Sequence, residues 1–278
     1  MDELLRKVQL TELEILEVIA DFCSQNQIGY SLCGGSLIGA IRHGGFIPWD
    51  DDIDILMKRN DLDRFISLWQ NDHPDGYLLQ TKEINAPDIE ISFVKIRKDN
   101  TTFLQFETER GKHHVGIFVD IFPLDRMPSG KLQKLFFYWH CIKYQLYVRE
   151  FVPPNANVLV KYVTKLLLIT STKESRKKKR RQLLKKITKY NDDESLEAVA
   201  IETLKSMRIT YSPDIMDSLV PIRFEGKEFL CFKKWKEYLE KFYGDYMKLP
   251  PIEERKWAHH PIIIDFEHNY EDLNCTKK

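Results

Sequence analysis

The residues best suited to chemistry lie in one run, Cys33-Gly34-Gly35-Ser36-Leu37-Ile38-Gly39-Ala40-Ile41-Arg42-His43-Gly44-Gly45-Phe46-Ile47-Pro48-Trp49-Asp50-Asp51-Asp52-Ile53-Asp54-Ile55-Leu56-Met57, which puts five glycines and four aspartates into 25 residues. Gly34-Gly35-Ser36 lets the backbone approach a ligand closely, and at the start of a short helix (Ser36 to Ile41) its N–H groups suit a phosphate. Asp52-Ile53-Asp54 reads as a strand of period two, with both carboxylates on one face and Ile53 and Ile55 toward the core. Two carboxylates on one face repel unless a divalent cation sits between them. A phosphate cradle followed by a paired-carboxylate cation site is what phosphoryl or nucleotidyl transfer needs. Alone, a Gly-Gly-Ser is ordinarily a turn and an Asp-x-Asp a solvated strand end. Here the acidic run continues into apolar Ile55-Leu56-Met57, where unpaired charge is costly.

The elements that must position this run flank it. Residues 3–24 read as an amphipathic helix with Leu5, Val8, Ile15, Ile19 and Phe22 on one stripe and the acids elsewhere. Tyr30 to Cys33 reads as a strand that delivers the glycines at its end, where ligand sites in α/β sheets lie. Arg42 and His43 follow the short helix, and the loop 44–49 draws them toward the carboxylates; the guanidinium of Arg42 suits phosphate oxygens. Asn60-Asp61 caps a helix to about Asn71 with Leu62, Phe65, Ile66 and a core Trp69 inward. Tyr77 to Gln80 and Ile89 to Arg97 read as strands, the second placing Lys95 and Arg97 on one face as a positive edge or as two solvated charges. Asp120 sits in the apolar strand Gly116 to Phe122 and needs a partner, a metal or a turn to cap before Pro123. Asp125 looks less buried, and His113-His114 read as loop residues.

At these residues a family resemblance is visible. Gly35-Ser36 through Asp54 resembles the signature of the LicD family, the phosphorylcholine transferases of bacterial surface polymers, which share the nucleotidyltransferase fold. Phe93-Val94-Lys95-Ile96-Arg97-Lys98 is similar to a further family segment, and Tyr243-Gly244-Asp245 with Pro250-Pro251 resembles the family's closing stretch. The resemblance implies a transferase that takes a phospho-alcohol from CDP-choline or another CDP-alcohol and places it on a sugar hydroxyl of a lipid-linked glycan precursor (teichoic acid or lipopolysaccharide), releasing CMP. It implies Asp52 and Asp54 as ligands of Mg²⁺ or Mn²⁺, Asp120 as third ligand or as base, Gly35 and Ser36 on phosphate, and Lys95 toward the nucleotide. Asp50 and Asp51 either shape the loop or approach a cationic choline, with Trp49 as one wall of its cage. If the closing segment folds back, Arg255 and His259 or His260 contact substrate. Two rivals remain: a nucleotide-sugar glycosyltransferase using the Asp-x-Asp site, and a non-catalytic nucleotide- or metal-binding scaffold. The presence of Asp52, Asp54 and Asp120 together favours an enzyme.

Lys and Arg equal Asp and Glu at 42 each, so global charge gives no reason to expect nucleic acid. Five scattered cysteines without a C-x-x-C pair, and an N-terminus without a signal-peptide layout, lead to the expectation of a cytoplasmic protein. The resulting fold class is α+β, close to α/β: a mixed nucleotidyltransferase-fold sheet flanked by helices. Residues 1–130 form the expected catalytic core, 131–210 a helical basic insertion, and 211–278 a segment packing back on the core. Lys131 to Val152 reads as an aromatic helix broken by Pro153-Pro154-Asn155, and Asp192 to Lys205 as another helix; Tyr211 to Arg223 reads as loop, and 269–278 as frayed. Between Asn155 and Tyr190 twelve Lys or Arg face one acid, Glu174. An apolar run followed by such a basic cluster suits peripheral contact through 158–190 with the inner face of the plasma membrane.

Overall fold

A computed structural model describes residues 2–150 and 158–275, so the expected break at Pro153-Pro154-Asn155 lies outside the described residues. The chain divides into two compact units: one comprises Met1–Asp88, Phe93–Pro123 and Asp214–Lys278, and the other Ile89–Ser92 and Leu124–Pro213.

The first unit opens with α1 (Glu3–Gln25), capped by Asp2, whose carboxylate accepts from the Leu4 N–H at 3.0 Å. Its buried stripe holds Leu5, Val8, Ile15, Ile19 and Phe22, and also Glu12, which lies four residues after Val8 and three before Ile15. The expectation that every acid faces outward fails at that residue. Strand β1 (Ser31–Leu32) leads into α2 (Gly34–His43), which starts two residues before the expected Ser36 and ends on Gly44 in the left-handed region, φ 71°. Strand β2 (Asp54–Lys58) begins at Asp54, so Asp52 belongs to the preceding loop and not to the strand. In α3 (Arg59–Asn71) the N-cap is Lys58, and the expected capping residues Asn60-Asp61 sit inside the first turn. Trp69 stacks on Phe65 in the core, as expected.

Strands β3 (Tyr77–Gln80) and β4 (Val94–Lys98) pair antiparallel, Gln80 opposite Lys95. The β4 strand starts at Val94, after the expected Ile89, and Ile89–Ser92 belongs to the second unit. Then come β5 (Thr102–Leu104), a loop carrying His113-His114, and β6 (Phe118–Arg126), whose Lys95↔Asp120 pairing with β4 is antiparallel. The sheet order is β1-β2-β6-β4-β3, which puts the Asp54 strand beside the Asp120 strand. With its helices this α+β sheet is the expected fold class.

In the second unit, α4 (Lys131–Arg149), α5 (Val158–Ile169) and α6 (Lys173–Thr188) are followed by β7 (Ala198–Val199) and β8 (Thr210–Tyr211). Phe137, Cys141, Tyr144 and Val148 of α4 share a core with Leu183 and Ile187 of α6. The helix expected over 192–205 is absent. Asp193 caps the Ser195 N–H, and Ala198-Val199 pair on one side with Arg126-Asp125 and on the other with Tyr211-Thr210. Tertiary pairing thus overrides local helix preference. Asp125 is fully buried and accepts from Asn191 Nδ2 at 2.9 Å, against the expectation that it was the more exposed aspartate.

The first unit closes with the hairpin β9 (Leu219–Phe224) and β10 (Lys227–Phe232), which replaces part of the expected loop 211–223. Its turn, Glu225-Gly226, has positive φ at both residues, the primed geometry of two-residue hairpins. Then come α7 (Trp235–Tyr243), β11 (Ile263–Asp265) paired with β5, and α8 (Tyr270–Cys275), where fraying was expected. Among the described residues no helix is long and apolar enough to cross a membrane.

Candidate active site

The two halves of the motif meet through the start of α2. Ser36 Oγ accepts the Asp54 N–H at 2.8 Å, and Asp54 O accepts the Cys33 N–H at 3.0 Å. Gly34 has φ 55°, and a Cβ there would stand 2.8 Å from Asp54 Oδ2; a Cβ on Gly35 would run into the Asp50 carboxylate. The glycines are therefore required by close approach of the carboxylates to a helix N-terminus, whose first-turn N–H groups and dipole favour negative charge.

The acidic loop is clamped from three elements. Gln9 of α1 donates to Asp50 O at 2.9 Å. Glu225, in the β9–β10 turn, accepts the Phe46 N–H at 3.0 Å and is ion-paired with Arg6. Fully buried Asp51 accepts the N–H of Ala258 at 2.9 Å and of His259 at 3.1 Å, which ties the C-terminal segment to the loop. These bonds hold 50–53 out of strand geometry and explain why β2 starts late. His259 Nδ1 then lies 3.4 Å from Asp51 Oδ1 and 3.8 Å from Asp52 Oδ2, ion-pair distances rather than a formed hydrogen bond. The ring packs edge-on against Phe118 at 5.5 Å. His260, the alternative, is exposed.

From β6, the Asp120 N–H donates to Ile53 O at 3.0 Å. Its carboxylate is held by Lys95 Nζ at 2.6 and 2.9 Å, and the ammonium sits 3.4 Å from the Phe118 ring centroid. Lys95 and Arg97 are buried, not a solvent-facing edge. Arg97 donates to Gln80 Oε1 and Gly116 O, both at 2.6 Å, and desolvation pulls its pKa down to about 10. At the rim, the Arg255 guanidinium lies 5.2 Å from the Trp49 ring, and His43 meets the same ring edge-on at 6.5 Å. Arg42 donates to Tyr246 O at 3.0 Å and to His43 Nε2 at 3.0 Å. Burial and the nearby charge of Arg255 lower the Arg42 pKa, while Asp50 opposes them. The structure thus brings Gly35, Ser36, Asp50, Asp51, Asp52, Asp54, Lys95, Asp120 and His259 into one electrostatic neighbourhood, and groups Arg42, His43, Trp49 and Arg255 beside Asp50.

Charge is out of balance there. Burial, then repulsion from Asp52 and Asp51, pushes Asp50 up to about 8. Burial pushes Asp52 up to about 6, with the charges of Asp120 and Asp51 adding to it and His259 opposing. Asp54 is raised well above the carboxylate range, by burial and then by Asp52, Asp120 and Asp50. Burial alone would also raise Asp51 and lower His259, but their pairing outweighs it, lowering the one and raising the other. Two residues were missed from the sequence. Glu12 is fully buried with no hydrogen-bond partner on either oxygen among the described residues, and burial, then Asp52, Asp51, Asp50 and Asp120, holds it far above the usual range. Its signal was available: a carboxylate on the apolar stripe of α1. Tyr243, raised by burial and by Asp54, had no signal beyond its place in the closing segment.

Among the described residues no three carboxylate, histidine or cysteine side chains converge as they stand on a point an ion could fill. Mg²⁺, however, is commonly held by one or two carboxylates and completed by substrate phosphates and water. The mutually repelling Asp52 and Asp54 fit that chemistry.

Comparison with known proteins decides the family. Over 261 residues the chain is 31% identical to the lipopolysaccharide cholinephosphotransferase LicD of Haemophilus influenzae, an alignment covering 92% of this chain and 96% of that protein. The chain belongs to the LicD family. Residues 27–159 match the LicD/FKTN/FKRP nucleotidyltransferase domain, a stretch that contains the α2 start, the acidic loop, Lys95 and Asp120. Uncharacterized proteins of Rickettsia typhi (31% over 78 residues, 28% of this chain and 25% of that one) and Rickettsia prowazekii (36% over 55 residues, 20% and 21%) are similar over shorter stretches. The LicD resemblance read from Gly35 to Asp54 is borne out.

Proposed function

We propose that this chain is a divalent-cation-dependent transferase that moves phosphocholine, or a related phospho-alcohol, from a CDP-alcohol to a sugar hydroxyl of a lipid-linked surface-glycan precursor on the cytoplasmic side of the membrane. The acceptor oxygen attacks the phosphorus that carries the alcohol, the bond from that phosphorus to the bridging oxygen breaks, and its electrons leave on CMP. The observation that carries the reading is the meeting of Asp54 and Asp50 with the N-terminal turn of α2, with Asp52 close enough to repel Asp54. Mg²⁺ on Asp52 and Asp54 would neutralise the diphosphate and the charge that develops as the bond breaks. Gly35 and Ser36 N–H groups bind phosphate oxygens, and Arg42 and Arg255 offer guanidinium charge beside Asp50. Asp120 has both oxygens on Lys95, so it anchors the ammonium near Asp52 and Asp54. The hydroxyl proton goes to His259, whose imidazolium the buried Asp51 stabilises. Catalysis is placed in 1–130 together with 211–278, and 131–210 is an insertion.

The similarity to a cholinephosphotransferase favours choline as the alcohol. The test is CMP release from a panel of CDP-alcohols, with Mg²⁺ and a lipid-linked acceptor extract, for the wild type and Asp52→Ala. CMP from one donor, lost with EDTA and in the variant, names the alcohol. Metal-dependent binding without turnover would point to a scaffold, and binding of a UDP-sugar in place of every cytidine donor would point to glycosyl transfer.

A further inference from the structure

Helix α4 is apolar on both sides. Phe137, Cys141, Tyr144 and Val148 face the core shared with α6. On the opposite side Leu132, Leu135, Phe136, Trp139 and Ile142, at helical spacing, are exposed, Leu132 at 72% and Trp139 at 56%. A surface stripe of large apolar side chains costs solubility unless something covers it.

Charge says what covers it. The helix has no acid among its 19 residues, and α4, α5 and α6 together carry fifteen Lys or Arg against the single Glu174, in a chain whose net charge is zero. Lys131 and Lys143 lie along α4 itself, Lys143 Nζ standing 5.5 Å from the Trp139 ring. The charges of Lys186, Lys143 and Lys189 reach His140 of α4 and, after burial, lower its pKa. On α5, Tyr162, Leu166 and Ile169 are exposed as well. Helices of like charge repel a second copy of themselves, and a nucleic-acid backbone has no use for a Leu-Leu-Phe-Trp-Ile stripe. An anionic bilayer uses both features: apolar side chains enter the acyl boundary, the indole sits at headgroup depth, and lysines meet lipid phosphates.

We propose that the outer face of α4 is a membrane-docking surface that seats the protein on anionic lipid. It extends to α4 the contact read from the sequence for 158–190. Its purpose, access to a lipid-linked acceptor, rests on the proposed function, but its chemistry does not.

The experiment is vesicle flotation of the full chain with phosphatidylcholine alone and with phosphatidylcholine mixed with phosphatidylglycerol, for the wild type and the double variant Leu135→Ser/Trp139→Ser. The expected result is binding to the anionic vesicles alone, weakened at least about tenfold in the variant, with a wild-type thermal melt and unchanged CMP release with a soluble sugar acceptor. Binding that the variant retains and high salt abolishes would overturn the docking role of α4, as would equal binding to neutral vesicles or none at all. A concentration-dependent dimer lost in the variant would make the face a self-interface and overturn the proposal. Should CMP release fail while vesicle binding holds, the proposed function falls and the docking surface stands.

Discussion

The two units handle charge in opposite ways. In the first, carboxylates from α1, the acidic loop, β2 and β6 are packed within reach of one another, Glu12, Asp51 and Asp120 buried and Asp50, Asp52 and Asp54 half-buried, against few cations. In the second, cations are spread along helices; Lys178, Arg181 and Lys185 point outward on the face of α6 opposite buried Leu183 and Ile187, while buried Arg180 is paired with Glu150. Buried like charge is costly and survives where a ligand repays it. Exposed like charge is screened by water and salt, and costs little. The acidic cluster is therefore the costlier of the two arrangements, and in the proposed function a cation offsets that cost.

That contrast can be broken most severely at the carboxylates to which the proposed function assigns the cation. Asp52→Ala and Asp54→Asn should each lower CMP release by about 10³-fold or more, as loss of a charge-stabilising group in a dry site does. In the absence of metal, Asp54→Asn should melt higher than the wild type, because a repelled carboxylate has gone; a lower melting temperature would show that the cluster is not strained. Next in size is Lys95→Met, which strands Asp120 and should destabilise by about 3–5 kcal/mol in denaturant titration. The double variant Lys95→Met/Asp120→Leu should recover much of that loss.

Asp51→Ala removes the acceptor of two backbone N–H groups and should cost about 1.5–3 kcal/mol while freeing the 258–259 segment to proteolysis. The pH dependence should follow the raised carboxylates. A group whose native pKa lies above its unfolded value holds its proton longer in the native state, so metal-free stability falls as pH rises from the unfolded carboxylate range through about 6 and about 8. Mg²⁺ displaces those protons, so its stabilising shift in Tm should be larger at pH 8 than at pH 6. An equal shift at both values would mean that the ion binds elsewhere. Smallest of all, Lys178→Gln/Arg181→Gln/Lys185→Gln on α6 should change stability by less than about 0.5 kcal/mol, the expected null result that sharpens the contrast.

Local patterns carried far. The 3.6-residue stripe marked α1 and α3, and Tyr77 to Gln80 fell on its strand without adjustment. The Gly-Ser and Asp-x-Asp pair, with the residues between them, was enough to name the family, because close backbone approach and paired carboxylates demand those residue types at that spacing. What pattern could not show is who meets whom. Lys95 read as a charge toward a nucleotide, yet β4–β6 register sets it on Asp120, and register follows from packing across the sheet. Residues 192–205 had helical composition, but pairing at Ala198-Val199 between two other segments decided otherwise. Composition put Glu12 among the outward acids, and Asp51 could equally have faced a ligand. Their burial depends on a core closed by α1 and on a C-terminal segment more than 200 residues away in the chain. Spacing along the chain determined the chemistry this protein can offer; long-range contacts, which no local period records, decided which carboxylates are buried, which are paired, and which are left repelling one another.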